Sequence, residues 1–302
     1  MKKPLPALSG LRAFEAAARH LSFTKAAAEL NVTPAAISQL IRQLEEQVGS
    51  TLFARTTRAL DLTEPARAAL PYLREAFDQL YAGARELRGD SGRNMITVSV
   101  TPSFGSCWLL SRLKKFHTAH PGVAVRIDAR EELVDFQRDD VDIAIRQGRG
   151  TYKGLKSDLL ISDVALVVCA PQFLPDGKSF KTPQSLAGKT LLHVDWQIAG
   201  DAAPSWSRWA RYHKAEGLDL SGGLRFGMED MAVRAALAGM GVALVTKAFI
   251  SDDLSAGRLV RALPRRYDMP TVFHHFLVYP QINEKRRKVS LFRDWLLQQA
   301  NT

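Results

Sequence analysis

Four side chains between Pro34 and Val48, namely Ala35, Ser38, Gln39 and Arg42, fall at i, i+3, i+4 and i+7. If that stretch is helical, the spacing puts all four on one face. A guanidinium can pair with guanine O6 and N7, and a carboxamide with the adenine edge. A hydroxyl meets a base edge or a phosphate, and a methyl group permits close approach. This face can read a duplex groove by hydrogen bonding; it is not equipped to make or break bonds. Thr33 adds a hydroxyl at the start of the same segment. Arg55, Thr57 and Arg58 follow within twenty residues as phosphate or minor-groove contacts, which position a protein on DNA without reading its sequence.

Other chemistry is poorly provided for. There is no phosphate-cradling glycine loop, no His-Glu-x-x-His zinc motif and no G-x-S-x-G elbow. The seven histidines do not cluster as ligands, and His274-His275 in a strand face opposite ways. Cys107 and Cys169 have no metal-ligand spacing and read as free thiols in a reducing compartment. No catalytic residue, metal or cofactor is expected. The net charge of +10 suits a polyanionic partner. Residues 1–60 hold eight Lys and Arg against four Asp and Glu, and residues 261–302 hold eight against three. The run Lys285-Arg286-Arg287-Lys288 is expected to be a solvated helix face. Apolar runs such as residues 164–170 are too short to span a bilayer. No apolar stretch follows Met1-Lys2-Lys3-Pro4, so the expectation is a cytoplasmic protein without a signal peptide.

The groove-reading face needs a scaffold, and the flanking sequence supplies one. Leu8, Leu11, Phe14 and Ala18 recur at helical spacing, predicting a helix over residues 9–19 with Ser9 as its cap. Ser22 caps a second, alanine-rich helix at residues 23–30. Asn31-Val32-Thr33 is a turn, Thr33 caps the third helix, Pro34 opens it and Gly49 ends it. Ile37, Ile41, Leu44 and Val48 form its apolar stripe. Residues 22–49 therefore read as a helix-turn-helix. Residues 52–63 read as a two-stranded wing. Thr63 then caps a further helix, which Pro71 is expected to kink. Along it Ala66, Leu70, Leu73, Phe77, Leu80, Ala84 and Leu87 repeat in steps of four and three. That heptad seam needs an apolar partner and reads as a dimerisation element through Leu70, Leu73, Phe77, Leu80 and Leu87.

The run Phe23-Thr24-Lys25-Ala26-Ala27-Ala28-Glu29-Leu30-Asn31-Val32-Thr33-Pro34-Ala35-Ala36-Ile37-Ser38, with Leu44-Glu45 and Leu52-Phe53-Ala54-Arg55, closely resembles LysR-type transcriptional regulators. Leu5-Pro6-Ala7-Leu8 and Ala16-Ala17-Ala18-Arg19-His20-Leu21-Ser22 place the resemblance in the branch of the glycine-cleavage activator and the β-lactamase regulator. Relatives carry glutamine where this chain has Pro34 and Leu40, and glycine where it has Ala66. These departures leave the base contacts and the wing-to-linker turn open.

Gly89-Asp90-Ser91-Gly92 is a turn cluster that marks a domain boundary. Beyond it strands and helices alternate, implying α/β architecture with parallel sheets. Strands are expected at residues 96–100, 123–128, 141–146, 190–194, 223–226, 241–245 and 271–279. Helices are expected at 105–118, 204–215, 228–238 and 283–299. The division is 1–63 for an all-α winged reader, 64–89 for the linker helix and 90–302 for the α/β sensor. The resemblance implies two sensor subdomains, about 95–163 with 268–302 and about 164–267, like a periplasmic binding protein, with crossovers near 162–166 and 264–270. In such sheets a ligand sits at the carboxyl ends of strands. Three loops qualify: Thr101-Pro102-Ser103-Phe104, Gly227-Met228-Glu229-Asp230 and Thr246-Lys247. Arg146-Gln147-Gly148 and Asp195-Trp196 complete the wall. An anionic group would lie at Ser103 and an amine at Glu229 or Asp195, so the effector is expected to be anionic or amino-acid-like; the alternative is that Glu229 and Asp230 only complement the dipole of their helix. Ser103 either caps its helix or serves the ligand, and Arg146 either pairs inside the fold or reaches the cleft. The resemblance implies promoter DNA, a small-molecule effector, RNA polymerase for an activator, and a second copy of the chain in a homodimer or homotetramer as partners.

Overall fold

The computed structural model describes residues 4–55, 60–87, 94–136, 139–196, 202–215 and 217–300. The chain divides into two compact units, Met1–Gly92 and Arg93–Thr302.

The first unit packs α1 (Leu8–His20), α2 (Phe23–Leu30) and α3 (Pro34–Val48) around small residues. Ala13, Ala16, Ala17, Ala26 and Ala27 are buried with Ile37 and Ile41, and their short side chains let the helices approach closely. Each turn has a local cause. Ser22 Oγ accepts the Lys25 N–H at 3.3 Å, and Thr33 Oγ1 accepts that of Ala36 at 3.2 Å. Asn31 closes α2 in the left-handed region at φ 54°, and Gly49 closes α3 at φ 72°. The expected cap at Ser9 is not found: Ser9 lies inside α1, whose N-cap is Ala7 without a side-chain cap bond.

β1 (Phe53–Arg55) and β2 (Leu60–Leu62) pair antiparallel, with Phe53 opposite Leu62. Phe53 stacks edge-on against Phe14 and Phe23, and Glu45 Oε1 accepts the Leu52 N–H at 2.7 Å. The wing is thus tied to α1, α2 and α3. Thr63 does not cap through its hydroxyl, which donates to the Thr51 carbonyl at 2.8 Å. α4 (Glu64–Leu87) continues as one helix with Pro71 inside it. Glu15, buried in α1, pairs with Arg19 and lies 3.6 Å from Arg74 of α4.

The second unit holds two sheets. The first has order β4-β3-β5-β13-β6, from β3 (Met95–Val100), β4 (Ala124–Ala129), β5 (Ile143–Gly148), β6 (Lys156–Ile161) and β13 (His274–Tyr279). The second has order β11-β7-β10-β8-β9, with β12 beside β7. Its strands are β7 (Val164–Cys169), β8 (Leu191–Val194), β9 (Leu224–Phe226), β10 (Val242–Thr246), β11 (Val260–Arg261) and β12 (Met269–Pro270). α5 (Pro102–Phe104), a π-helical turn at Gly105–Leu109 and α6 (Leu110–Ala119) follow β3. α7 (Trp206–Tyr212), α8 (Glu229–Leu237), α9 (Lys247–Ser255) and α10 (Arg287–Ala300) complete the unit.

The sheets are mixed, not parallel as expected. β13 runs antiparallel to β5 and β6, and β7 antiparallel to β10, β11 and β12. The antiparallel strands lie where the chain passes between sheets. It crosses at residues 162–163, within the expected 162–166, and again at 271–273, after the expected 264–270, because Met269–Pro270 still pairs in the second sheet. One apolar core joins residues from both sheets, including Val98, Ile145, Leu166, Val245 and Phe292. Trp206 and Trp209 belong to a second core and donate their indole N–H groups to the Leu192 and Tyr267 carbonyls, so they pack rather than stack on a ligand.

Candidate functional site

In the first unit the fold sorts α3 into two faces. Ile37, Ile41 and Leu44 are buried, whereas Thr33, Ala35, Gln39 and Arg42 are exposed and Ser38 is half-buried. Val48 is exposed and leaves the apolar stripe. The remaining face is the hydrogen-bonding surface that the spacing required. Leu40 packs half-buried on the helical core. Pro34, exposed at the first turn, has no N–H to lose. Arg55 ends β1; Thr57 and Arg58 lie outside the described residues, as does the boundary cluster 89–92.

The heptad seam divides. Ala66 is buried, and Leu70 and Leu73 pack on the core formed by Phe14, Ala18, Leu44 and Leu52. Phe77 is also buried within the single chain. Ala66, Leu70 and Leu73 therefore seal their own unit. Leu80 and Leu87 are 49% and 91% exposed and border an apolar groove with Leu8 and Ala84.

In the second unit a cavity of about 340 Å³ opens where strands β3, β5 and β8 end. Thr101, Ser103, Glu131, Gln147, Trp196 and Glu229 supply its polar lining, and Val194, Met228 and Phe249 its apolar lining. Thr101, Ser103, Met228 and Glu229 thus lie where the sequence placed them. Ser103 does not cap its helix and its hydroxyl is not free for a carboxylate: it donates to Asp230 Oδ1 at 2.9 Å. Phe104 lies beneath the cavity wall, fully buried and 4.5 Å from the His275 ring. Arg146, 5% exposed, turns inward to Ser99 Oγ at 2.7 Å and to the Ile145 and Glu132 carbonyls. A side chain at Gly148 would collide with the Tyr152 hydroxyl, so this residue spaces the strand end and does not line the cavity. Asp195 pairs with Arg225 at 3.1 Å and borders a different cavity. Thr246 is buried, and both its N–H and its hydroxyl donate to Glu229 Oε1.

Glu229 is the unusual group in this wall. It is 3% exposed, and Oε2 has no hydrogen-bond partner among the described residues. Burial pushes its carboxyl up to about 8; the two bonds from Thr246 oppose the shift, and Asp163 and Asp230 add to it. Glu131 is raised by burial, with Glu132 and Asp230 adding and Arg146 opposing.

Spacing did not reveal Asp163, on the first crossing between the sheets. It sits between β6 and β7, 2% exposed, and its Oδ1 accepts from Val164 N at 2.9 Å and Ala248 N at 3.2 Å. Oδ2 lies 3.5 Å from His275 Nδ1. Thr271 Oγ1 donates to the Asp163 carbonyl, so one residue ties both crossings. The available signal was a lone carboxylate between two apolar runs. Glu131 and Phe249 were also missed, since each is brought to the cavity from its own loop or helix.

Among the described residues, no group of three or more His, Cys, Asp or Glu could hold a metal ion, and no helix is long and apolar enough to cross a membrane.

A helix-turn-helix with a wing, followed by a two-sheet ligand-cleft domain, defines a ligand-responsive DNA-binding regulator. The family model for the LysR substrate binding domain matches residues 89–301, and that for the bacterial regulatory helix-turn-helix protein of the lysR family matches residues 8–67. The chain belongs to the LysR family of transcriptional regulators, which are DNA-binding proteins and not enzymes. It is 40% identical to the glycine cleavage system transcriptional activator of Escherichia coli K12, over 99% of this chain and 96% of that one. It is 32% identical to the transcriptional activator AmpR of Citrobacter koseri, over 99% and 100%. The effector domain of AmpR from Pseudomonas aeruginosa is similar in structure, with TM-score 0.53 and 28% identity over 68% of this chain and 96% of that one. CrgA of Neisseria meningitidis shares the fold, with TM-score 0.55 and 20% identity over 99% and 100%.

Proposed function

We propose that this regulator works as a cytoplasmic homodimer or homotetramer that binds promoter DNA through residues 1–63, pairs copies through residues 64–89 and answers to a small effector held by residues 90–302. Arg42, Gln39 and Ser38 read base edges, Ala35 allows close approach, and Thr33 with Arg55, Thr57 and Arg58 grips phosphates. Leu80 and Leu87 pair across copies. The relatives from Escherichia coli and Citrobacter koseri named above are transcriptional activators, so contact with RNA polymerase at the promoter belongs to this reading. The effector occupies the cavity beside Glu229. Of the two expected classes, an amino-acid-like ligand fits better than a simple anion, because Ser103 already serves Asp230. Occupancy changes the pose of the paired readers, which requires the ligand to favour one pose.

The carrying observation is the exposed face of α3 bearing Ala35, Gln39 and Arg42 on a helix capped at both ends. A gel-retardation assay on DNA upstream of the neighbouring, divergently read gene tests it. Salt-sensitive, sequence-selective retardation is expected. Equal retardation of unrelated DNA would refute the reading.

A further inference from the structure

The effector cavity has a marked charge character. Its lining includes two carboxyl side chains, Glu131 and Glu229, and among the described residues no Lys, Arg or His. Further acids stand behind that lining. Asp230 follows Glu229 on α8 and receives the Ser103 hydroxyl from α5, and Asp163 on the crossing acts on Glu229. Asp163 is 3.5 Å from His275 of β13, which lies between the rings of Phe104 and Phe249. From the π-helical turn Cys107 faces the same acids, and burial pushes its thiol up to about 11, so it carries no charge at neutral pH. On α8, Arg234 is near enough to act on Cys107, and Thr246 of β10 offers Glu229 only hydrogen-bond donors. Arg146 acts on Glu131, but its guanidinium is held by Ser99 and two carbonyls. A carboxylate ligand entering here would meet acids without a cation in the wall. An ammonium group would meet Glu229, which lines the cavity and whose buried Oε2 has no hydrogen-bond partner among the described residues.

We propose that the cavity selects a ligand carrying a protonated amine, seated on Glu229 Oε2 with Glu131 beside it, and that seating the ammonium expels the proton of Glu229 to solvent. This rests on the cavity being the effector site. The balance is one proton released for each ammonium that binds to the neutral carboxyl, nearly one per ligand at pH 6 and about half at pH 8, with no bond made or broken in the ligand. In the empty cavity the neutral carboxyl avoids the cost of a buried, unpaired charge. In the complex the ammonium compensates that charge. Val194, Met228 and Phe249 take the ligand's apolar part, and the Trp196 Nε1–H, which has no partner among the described residues, is available to a ligand acceptor. The response to effector is then coupled to pH through one side chain.

Proton release gives a signature that packing alone cannot produce. With Glu229 at about 8, amine affinity should rise about 50-fold from pH 6 to pH 8 and then level off. The probes are 2-phenylethylamine and its oppositely charged counterpart phenylacetate, titrated calorimetrically into the full-length protein at both pH values. The amine should bind more tightly than the acid at pH 8, and Glu229→Gln should remove the pH dependence and weaken the amine at least tenfold. Glu131→Gln, at an exposed position, should weaken the amine several-fold and keep the pH slope. Tighter binding of phenylacetate, failure of the amine to bind, or pH-independent amine binding would each overturn the proposal. Met228→Trp, which narrows the cavity, separates the two levels. A ligand whose binding it abolishes occupies the cavity, so a preference for acid then sinks the charge argument alone. Binding unaffected by Met228→Trp and Glu229→Gln lies elsewhere and sinks the cavity reading itself.

Discussion

Replacing Asp163 with Ala removes the acceptor of two backbone N–H groups, those of Val164 and Ala248. The first lies at the start of β7 and the second in the first turn of α9, and the carboxylate between them is 2% exposed. Each buried N–H left without an acceptor costs about 1–3 kcal/mol, a gross loss of about 2–6 kcal/mol. Removing a buried charge relieves its own desolvation and offsets part of that loss, so the net is placed at about 2–3 kcal/mol. For a unit of the size of Arg93–Thr302 this corresponds to about 4–12 °C in Tm. Differential scanning calorimetry of the full-length protein should show the higher-residue unit melting earlier, while DNA retardation is retained. Asp163→Asn keeps a carbonyl acceptor and should recover most of the loss. If Ala and Asn lower Tm equally, or neither lowers it by more than about 1 °C, the hydrogen-bond account of the crossing is wrong. Asp163→Ala should also lower the pH at which Glu229 ionises, because Asp163 contributes to its upward shift.

Three further outcomes concern the DNA-reading unit. Arg42→Ala should cost about 1–3 kcal/mol in binding and relax specificity at one base pair, scored by competition with singly substituted operators; a uniform loss across sequences would assign Arg42 to a phosphate. Glu45→Ala removes the acceptor for Leu52 N and should destabilise the unit by about 1–3 kcal/mol in urea melts, loosening the wing without changing base preference. Leu80→Asp and Leu87→Asp should shift the oligomer toward monomer in sedimentation while each copy stays folded, since both side chains are exposed. Phe77→Asp should instead unfold the reader, because Phe77 is buried within one chain.

The local features of the reader were legible because their causes are local. Ser22, Thr33 and Gly49 set the ends of helices through bonds to residues three or four positions away, Pro34 opens α3 through its fixed φ, and period 3.6 sorts Ile37 and Ile41 from Gln39 and Arg42. The heptad seam shows where such reasoning stops. Periodicity says that Leu70, Leu73 and Phe77 need an apolar partner, but it cannot say whether that partner is α1 of the same chain or α4 of another. Packing decided for the same chain, and left Leu80 and Leu87 uncovered.

In the sensor the alternation of strands with helices, and the loops at the strand ends that bring Thr101, Ser103, Met228 and Glu229 to one wall, can be read along the chain. Tertiary structure decided which way the polar groups turn. Ser103 gives its hydroxyl to Asp230, 127 residues away, and Arg146 turns inward to Ser99, 47 residues away. It also decided that the sheets are mixed, because β13 returns antiparallel from the second crossing. The charge state of Glu229 depends on burial and on Asp163 and Thr246, which no local spacing relates to it. Caps and periods act over one or two helical turns and can be read along the chain. Desolvation, hydrogen-bond partners and the choice between intramolecular and intermolecular packing depend on groups distant in sequence, so only the folded arrangement assigns them.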